Sequence, residues 1–136
     1  ERALREIYLR GFEEAVRAGG AKGVMTSYNR LNGVYTPNSH DLCTKVLRQE
    51  WGFDGVVMTD WNATMGNRAS SAAALRAGND LIMPGGSAYK KEILQALRGN
   101  LIDEADLRRC CGNVIRSILM SATQKDYIDA PAGETP

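Results

Sequence analysis

Three short apolar runs constrain the fold of this chain more than anything else in it. They are "KGVMTSY" at 22–28, "GVVMTD" at 55–60 and "DLIMP" at 80–84, and each stops at polar residues or at Pro-Gly. Between them lie segments with helical spacing. The order reads helix, strand, helix, strand, helix, strand, helix, helix. Alternation of this kind builds βα units around a parallel sheet. The runs are continuous instead of alternating, so the expected strands are buried on both faces.

The helical segments carry their own signals. Residues 1–18 place Leu4, Ile7, Tyr8, Phe12, Ala15 and Val16 near one face, and Gly19-Gly20 closes them. "NRLNGVYTPNSHD" reads as a loop, with Asn32-Gly33 and Pro37 as turn signals. Residues 40–50 form a helix with Leu42, Val46 and Leu47 inward, broken by "WGFDG". Residues 67–77 form an alanine-rich helix closed by Gly78, and a further helix covers 88–98. The last helix is capped by Asp103, with a stripe of Leu107, Cys110 or Cys111, Val114, Ile115, Ile118 and Leu119. The tail from 125 to 136 is polar, a frayed end or a linker.

The expected fold class is α/β: a partial TIM-type (β/α) barrel with about three parallel strands and flanking helices. Three strands do not close a barrel, and a whole one takes about 250 residues against the 136 here. A small open sheet complete in itself is the alternative, but such sheets hold about five strands. The chain opens on Glu1 instead of Met, so it is expected to be an internal piece of a longer protein.

Composition narrows the function. The net charge is +1, with basic and acidic residues interspersed, which gives no nucleic-acid footprint and no basic membrane face. No apolar run approaches the roughly 18 residues of a membrane span. Three cysteines without a CxxC pair, beside one histidine, make a structural zinc site a poor fit. Cys110 and Cys111 read as packing residues, at least one of them buried, and the odd count favours a reduced, cytoplasmic setting. No cofactor and no metal is called for.

Chemistry concentrates at the ends of the strands. "VMTSY" at 24–28 and "VMTDW" at 57–61 echo each other and place Ser27 and Asp60 at matching carboxyl ends. In parallel α/β folds that edge is where ligands bind. Asp60 reads either as a turn or cap acid, or as a nucleophile for glycosyl transfer, attacking an oxocarbenium-like centre. Trp61, poorly placed for a core, suits an apolar platform against a sugar ring. Asp54, His40 and Glu6 read as structural. A phosphoreceiver domain also ends a strand in Asp, but it needs an acidic pair after the first strand, where this chain has "TSYN".

Three stretches, "VMTSYNRLNG", "LRQEWGFDGVVMTDW" and "AGNDLIMPG", together resemble glycoside hydrolase family 3, the β-glucosidase family. The family pattern reads much like SYNxxNG, LRxxWGFxGxVxSDW and GxDxxMPG. The resemblance runs from the "LREIYL" helix to the "EADLRRC" helix, so 1–124 would be the C-terminal portion of the family's barrel domain. It implies a retaining double displacement on terminal β-D-glucosyl residues, with Asp60 as the catalytic nucleophile. Thr59 stands where the pattern has Ser and keeps the hydroxyl. Trp61, Tyr28 and Met25 match residues that line the sugar pocket, although Met25 reads equally as a buried strand residue. The Tyr28 hydroxyl can hold the carboxylate in its ionised state. Asn29 and Arg30 read as sugar contacts or as turn and salt-bridge residues.

The family's lysine-histidine pair, its early-strand aspartate and its acid/base carboxylate find no match in this chain. The piece alone is therefore expected to be inactive, and to complete its burial as a homo-oligomer. The expected partner is a β-linked glucoside or oligosaccharide, with no nucleic acid and no membrane. Within the family the alternatives are β-xylosidase and N-acetylglucosaminidase; outside it, a non-catalytic carbohydrate-binding or structural α/β module.

Overall fold

The computed structural model describes residues 1–121, so the expected tail at 125–136 lies outside the described residues. Within them the chain is α/β. A helical turn at Leu4–Tyr8 runs into α1 (Arg10–Arg17). Strand β1 (Gly23–Thr26) follows, and then a small hairpin of β2 (Arg30–Leu31) and β3 (Val34–Tyr35). A wide helix at Asp41–Glu50, closed by Trp51 N–H on the Val46 carbonyl at 3.0 Å, leads to β4 (Val56–Thr59). Three α-helices complete the fold: α2 (Ser71–Ala77), α3 (Ser87–Arg98) and α4 (Glu104–Leu119).

β1 and β4 pair in parallel, Gly23 beside Val56 through Thr26 beside Thr59. The third apolar run forms a single parallel bridge, Leu81 to Met58, and not a strand. Its backbone still docks on β4, with Thr59 N–H on the Leu81 carbonyl and Leu81 N–H on the Val57 carbonyl. The ladder goes no further because the next amide, Met83 N–H, bonds to the Thr59 side chain. The segment read as a loop contains β2 and β3, joined by Asn32 (φ 50°) and Gly33 (φ 83°). Two consecutive positive φ angles at Asn-Gly make the type I′ turn that two-residue hairpins favour. Strands of two residues carry no periodicity, which hid them in the sequence.

One layer of core lies between the sheet and the helices beside it. Leu47, Phe53 and Val57 are buried together, with Val16, Val24 and Trp51 against them. A second cluster, Ala72, Ala96 and Ile102, joins α2, α3 and α4. β4 is buried along most of its length, as a run without alternation requires, but β1 is not: Met25 is 55% exposed. Ser70 starts α2 by accepting the Ala73 amide, so the helix begins four residues later than its alanine run suggested. Asp103 caps α4 as expected, in a reciprocal capping box with Asp106. The α4 stripe is narrower than expected: Cys110 and Asn113 are buried, while Ile115, Ile118 and Leu119 are exposed.

Of the two cysteines read as packing residues, with at least one buried, Cys110 is buried and Cys111 is exposed; Cys43 is buried as well. Burial pushes the Cys43 thiol up to about 12 and the Cys110 thiol up to about 11, so neither is a thiolate at neutral pH. Asp54 pairs with Lys22 and Glu6 with Arg2 at the surface, as structural residues.

Two adjacent polar residues tie the layers together. Asn79, fully buried, donates to the Pro37 and Ala74 carbonyls and accepts from the Thr26 hydroxyl. The Asp80 carboxylate accepts from Val57 N–H and Asn113 Nδ2, each at 2.9 Å, and from the Arg48 guanidinium. Its side chain is 0% exposed and that of Arg48 is 14% exposed. Gly78, just before the pair, sits at φ 116°, and a Cβ there would stand 2.7 Å from Thr44 Oγ1. Removing one partner of a buried, hydrogen-bonded ion pair costs about 3–5 kcal/mol. Asp80→Ala is expected to lose stability on that scale in urea unfolding; a loss under about 1 kcal/mol would mean that the pair is worth no more than a surface pair.

Candidate active site

The site is built at the carboxyl ends of the two parallel strands. The register that sets Met25 beside Met58 and Thr26 beside Thr59 carries Ser27 to the side of Asp60. Asp60 N–H donates to the Thr26 carbonyl at 3.0 Å, which extends the pairing one step past β4. The chain then turns: the Asp60 carbonyl accepts from Ala63 N–H at 3.2 Å. Asp60 Oδ1 accepts from Trp61 N–H at 2.6 Å. Asp60 therefore serves as a turn acid and stands, half-buried, at the mouth of the sheet.

Tyr28 comes to the same place from β1. Its hydroxyl donates to the Trp61 carbonyl at 2.6 Å. Desolvation first, and then the neighbouring Asp60 carboxylate, raise the phenol above its ordinary pKa, while the Arg68 guanidinium opposes them. Arg68 lies over the Tyr28 ring, 5.2 Å from its centroid. Trp61 is 60% exposed and Tyr28 43%, so both present aromatic surface beside the acid. Asp60, Trp61 and Tyr28 are thus brought together. Met25 lies further down β1, one edge of an apolar groove of about 510 Å³ that also involves Tyr8, Phe12, Leu42 and Val46. That groove does not include Asp60, Trp61 or Tyr28.

The remaining loop residues divide differently from the sequence reading. Arg30 donates to the Tyr35 hydroxyl at 3.0 Å and lies over its ring at 4.3 Å, so it is engaged within the hairpin. Asn29 accepts from the Ser27 hydroxyl. Arg68 and Asn62 were not singled out from sequence. Arg68 sits in the irregular stretch before α2, where no periodicity marks it. Asn62 adopts φ 58°, a left-handed conformation that asparagine tolerates, which is a weak signal for a turn after Asp-Trp. Among the described residues no cluster of three or more His, Cys, Asp or Glu could hold a metal ion, and no helix is long and apolar enough to cross a membrane.

The chain is similar to known proteins. The Glycosyl hydrolase family 3 N terminal domain profile matches residues 1–116. A β-glucosidase of Ruminococcus albus is 44% identical over 129 residues, covering 89% of this chain and 14% of that protein. An exo-alpha-(1->6)-L-arabinopyranosidase of Bifidobacterium longum is 46% identical over 114 residues, 84% of this chain and 14% of that protein. The solved structure of β-glucosidase 3B from Thermotoga neapolitana in complex with glucose superposes with a TM-score of 0.83 at 42% identity, over 93% of this chain and 18% of that one. The chain thus spans less than a fifth of the length of each of these relatives.

The charges around Tyr28 set an expected titration. Its phenol stays protonated to a higher pH than an ordinary tyrosine, first because it is desolvated and then because ionising it would place a second anion beside Asp60. Asp60→Asn should lower the phenol's pKa towards the ordinary value, and Arg68→Gln should raise it further. Phenolate absorbance of each variant, measured against a Tyr28→Phe background, checks both directions. Opposite shifts, or none, would mean that the three groups are not coupled.

Proposed function

The chain belongs to glycosyl hydrolase family 3, and on that premise we propose that it carries the nucleophile strand of a retaining β-glucosidase. The two parallel strands and the Leu81 bridge are consecutive units of a (β/α) barrel, within a domain portion covering 1–124. One observation carries the reading: Asp60 stands half-buried at the carboxyl end of a parallel strand, flanked by the exposed ring of Trp61 and the Tyr28 phenol.

The chemistry follows from those positions. In the first step an Asp60 carboxylate oxygen bonds to the anomeric carbon of a terminal β-glucosyl residue. The bond to the aglycone oxygen breaks, and that oxygen takes a proton from a general acid. In the second step water adds to the anomeric carbon, gives a proton to the same group and releases Asp60 as the carboxylate. Trp61 supplies an apolar face for the sugar ring. The Tyr28 hydroxyl, donated to the Trp61 carbonyl, fixes the turn beside the nucleophile. The second carboxyl group must sit about 5–5.5 Å from the first for retention. No residue of this chain matches it, so a part of the enzyme beyond this stretch supplies it.

A second reading is favoured by the Bifidobacterium relative, as similar to this chain as the Ruminococcus glucosidase is. On that reading the terminal sugar is an L-arabinopyranosyl residue, and the same nucleophile serves it. The residues that choose between the sugars then lie beyond this stretch.

The test is chemical trapping. The full enzyme is incubated with a 2-deoxy-2-fluoro β-glucoside and digested, and the labelled peptide is expected to carry the sugar on Asp60; a label on another carboxylate removes the assignment. Asp60→Ala should cost several orders of magnitude in kcat, about the scale seen when a nucleophile is lost. The 136-residue chain by itself is expected to turn over no aryl β-glucoside. Turnover that disappears with Asp60→Ala would place the second carboxyl group inside this chain.

A further inference from the structure

The turn that carries Asp60 is gripped at both ends by one residue from another part of the chain. Met83 N–H donates to Thr59 Oγ1 at 2.9 Å. The Met83 carbonyl accepts from Asn62 N–H at 3.0 Å. Asp60 and Trp61 are the two residues between those jaws. Thr59 is 0% exposed, so no water replaces its hydroxyl. Asn62 is oriented in turn from α3, where Tyr89, itself buried, donates to Asn62 Oδ1 at 2.8 Å.

We infer that Thr59 is a positioning residue for the reaction: its hydroxyl, through the Met83 backbone, sets where the Asp60 carboxylate stands. The inference rests on the reading of Asp60 as nucleophile. The physical reason is the sharing of one peptide segment. An amide left unpaired in a buried site forfeits its hydrogen bond and its hydration. With an apolar residue at 59, Met83 N–H loses its partner and one jaw opens, while Asn62 still pulls on the same residue. The carboxylate then has freedom of a few tenths of an ångström or more. A misplacement of about 1 Å can cost about 10²-fold in rate without touching the chemistry. Trp61 lies between the same jaws, but its carbonyl is also held by the Tyr28 hydroxyl at 2.6 Å, so its ring keeps its place and binding of the sugar is largely kept.

The experiment uses the full enzyme and 2-deoxy-2-fluoro-β-glucosyl fluoride. Asp60 bonds to the anomeric carbon and fluoride leaves, so the rate of trapping reads nucleophile placement alone. Thr59→Val is expected to slow trapping about 10- to 100-fold with a glucose dissociation constant within about threefold of wild type, and Thr59→Ser to recover to within about threefold. An unchanged trapping rate in Thr59→Val overturns the inference. So does a loss that Ser does not recover, or one matched by an equal loss of glucose binding. If Thr59→Val does not fold by circular dichroism, Tyr89→Phe is read instead. Releasing the Asn62 end should slow trapping by more than about threefold with glucose binding kept, and a wild-type rate overturns the inference. Absence of label on Asp60 in the wild-type enzyme overturns the reading of the nucleophile and the inference with it. Label on Asp60 with unchanged rates in the variants overturns the inference alone.

Discussion

The buried carboxylate of Asp80 is the interaction on which the rest of the molecule depends. A carboxylate out of water is tolerated only when its oxygens are fully paired. Here one oxygen takes the Val57 amide and the Arg48 guanidinium, and the other takes Asn113. Those three partners come from β4, from the Asp41–Glu50 helix and from α4. One side chain therefore decides how a strand and two helices meet. Arg48 spreads the constraint, donating also to the Gly55 and Gly78 carbonyls and lying over Phe53. Asn79 does the same work one residue earlier, towards β1 and α2. Polar groups replace side-chain volume at the point where several elements cross, and the apolar clusters pack around them.

The site inherits its geometry from this anchor. Val57 is held by Asp80, and Asp60 lies three residues further along the same backbone. From Thr59 onward the chain leaves the ladder, and local bonds take over: Thr26 on one side, Met83 on the other, Ala63 within the turn. The result is an acid on rigid backbone with exposed aromatic neighbours, the reverse of the usual partition of rings inward and charge outward. Holding that arrangement takes a left-handed asparagine and a fully buried threonine hydroxyl.

The contrast between β1 and β4 has the same origin. β4 has a neighbour on each side, and its side chains are covered. β1 has β4 on one side only among the described residues, and Met25 on it is more than half exposed. Ile7 and, on α4, Ile118 are exposed as well.

Local sequence determined the α/β alternation, the helix start at Asp103, and the placing of Asp60 and Trp61 at a strand's end. Each of these is a short-range property: an apolar run, a capping oxygen, or a run stopped by an acid. Sequence also determined the pairing of Ser27 with Asp60, because two echoing runs of equal length in one parallel sheet fall into equal register. Tertiary structure alone decided the rest. The third run became a single bridge because the Met83 amide turned to the Thr59 hydroxyl. The Asn-Gly loop became a hairpin through four residues too few to show a period. Asn113 displaced Ile115 from the inner face of α4 because Asp80 needed a donor there. Arg68 reached Tyr28 from 40 residues away in the chain. Such contacts are hydrogen-bond and charge pairings between distant residues, and apolar periodicity, the signal that local sequence carries best, records neither their partners nor their distances.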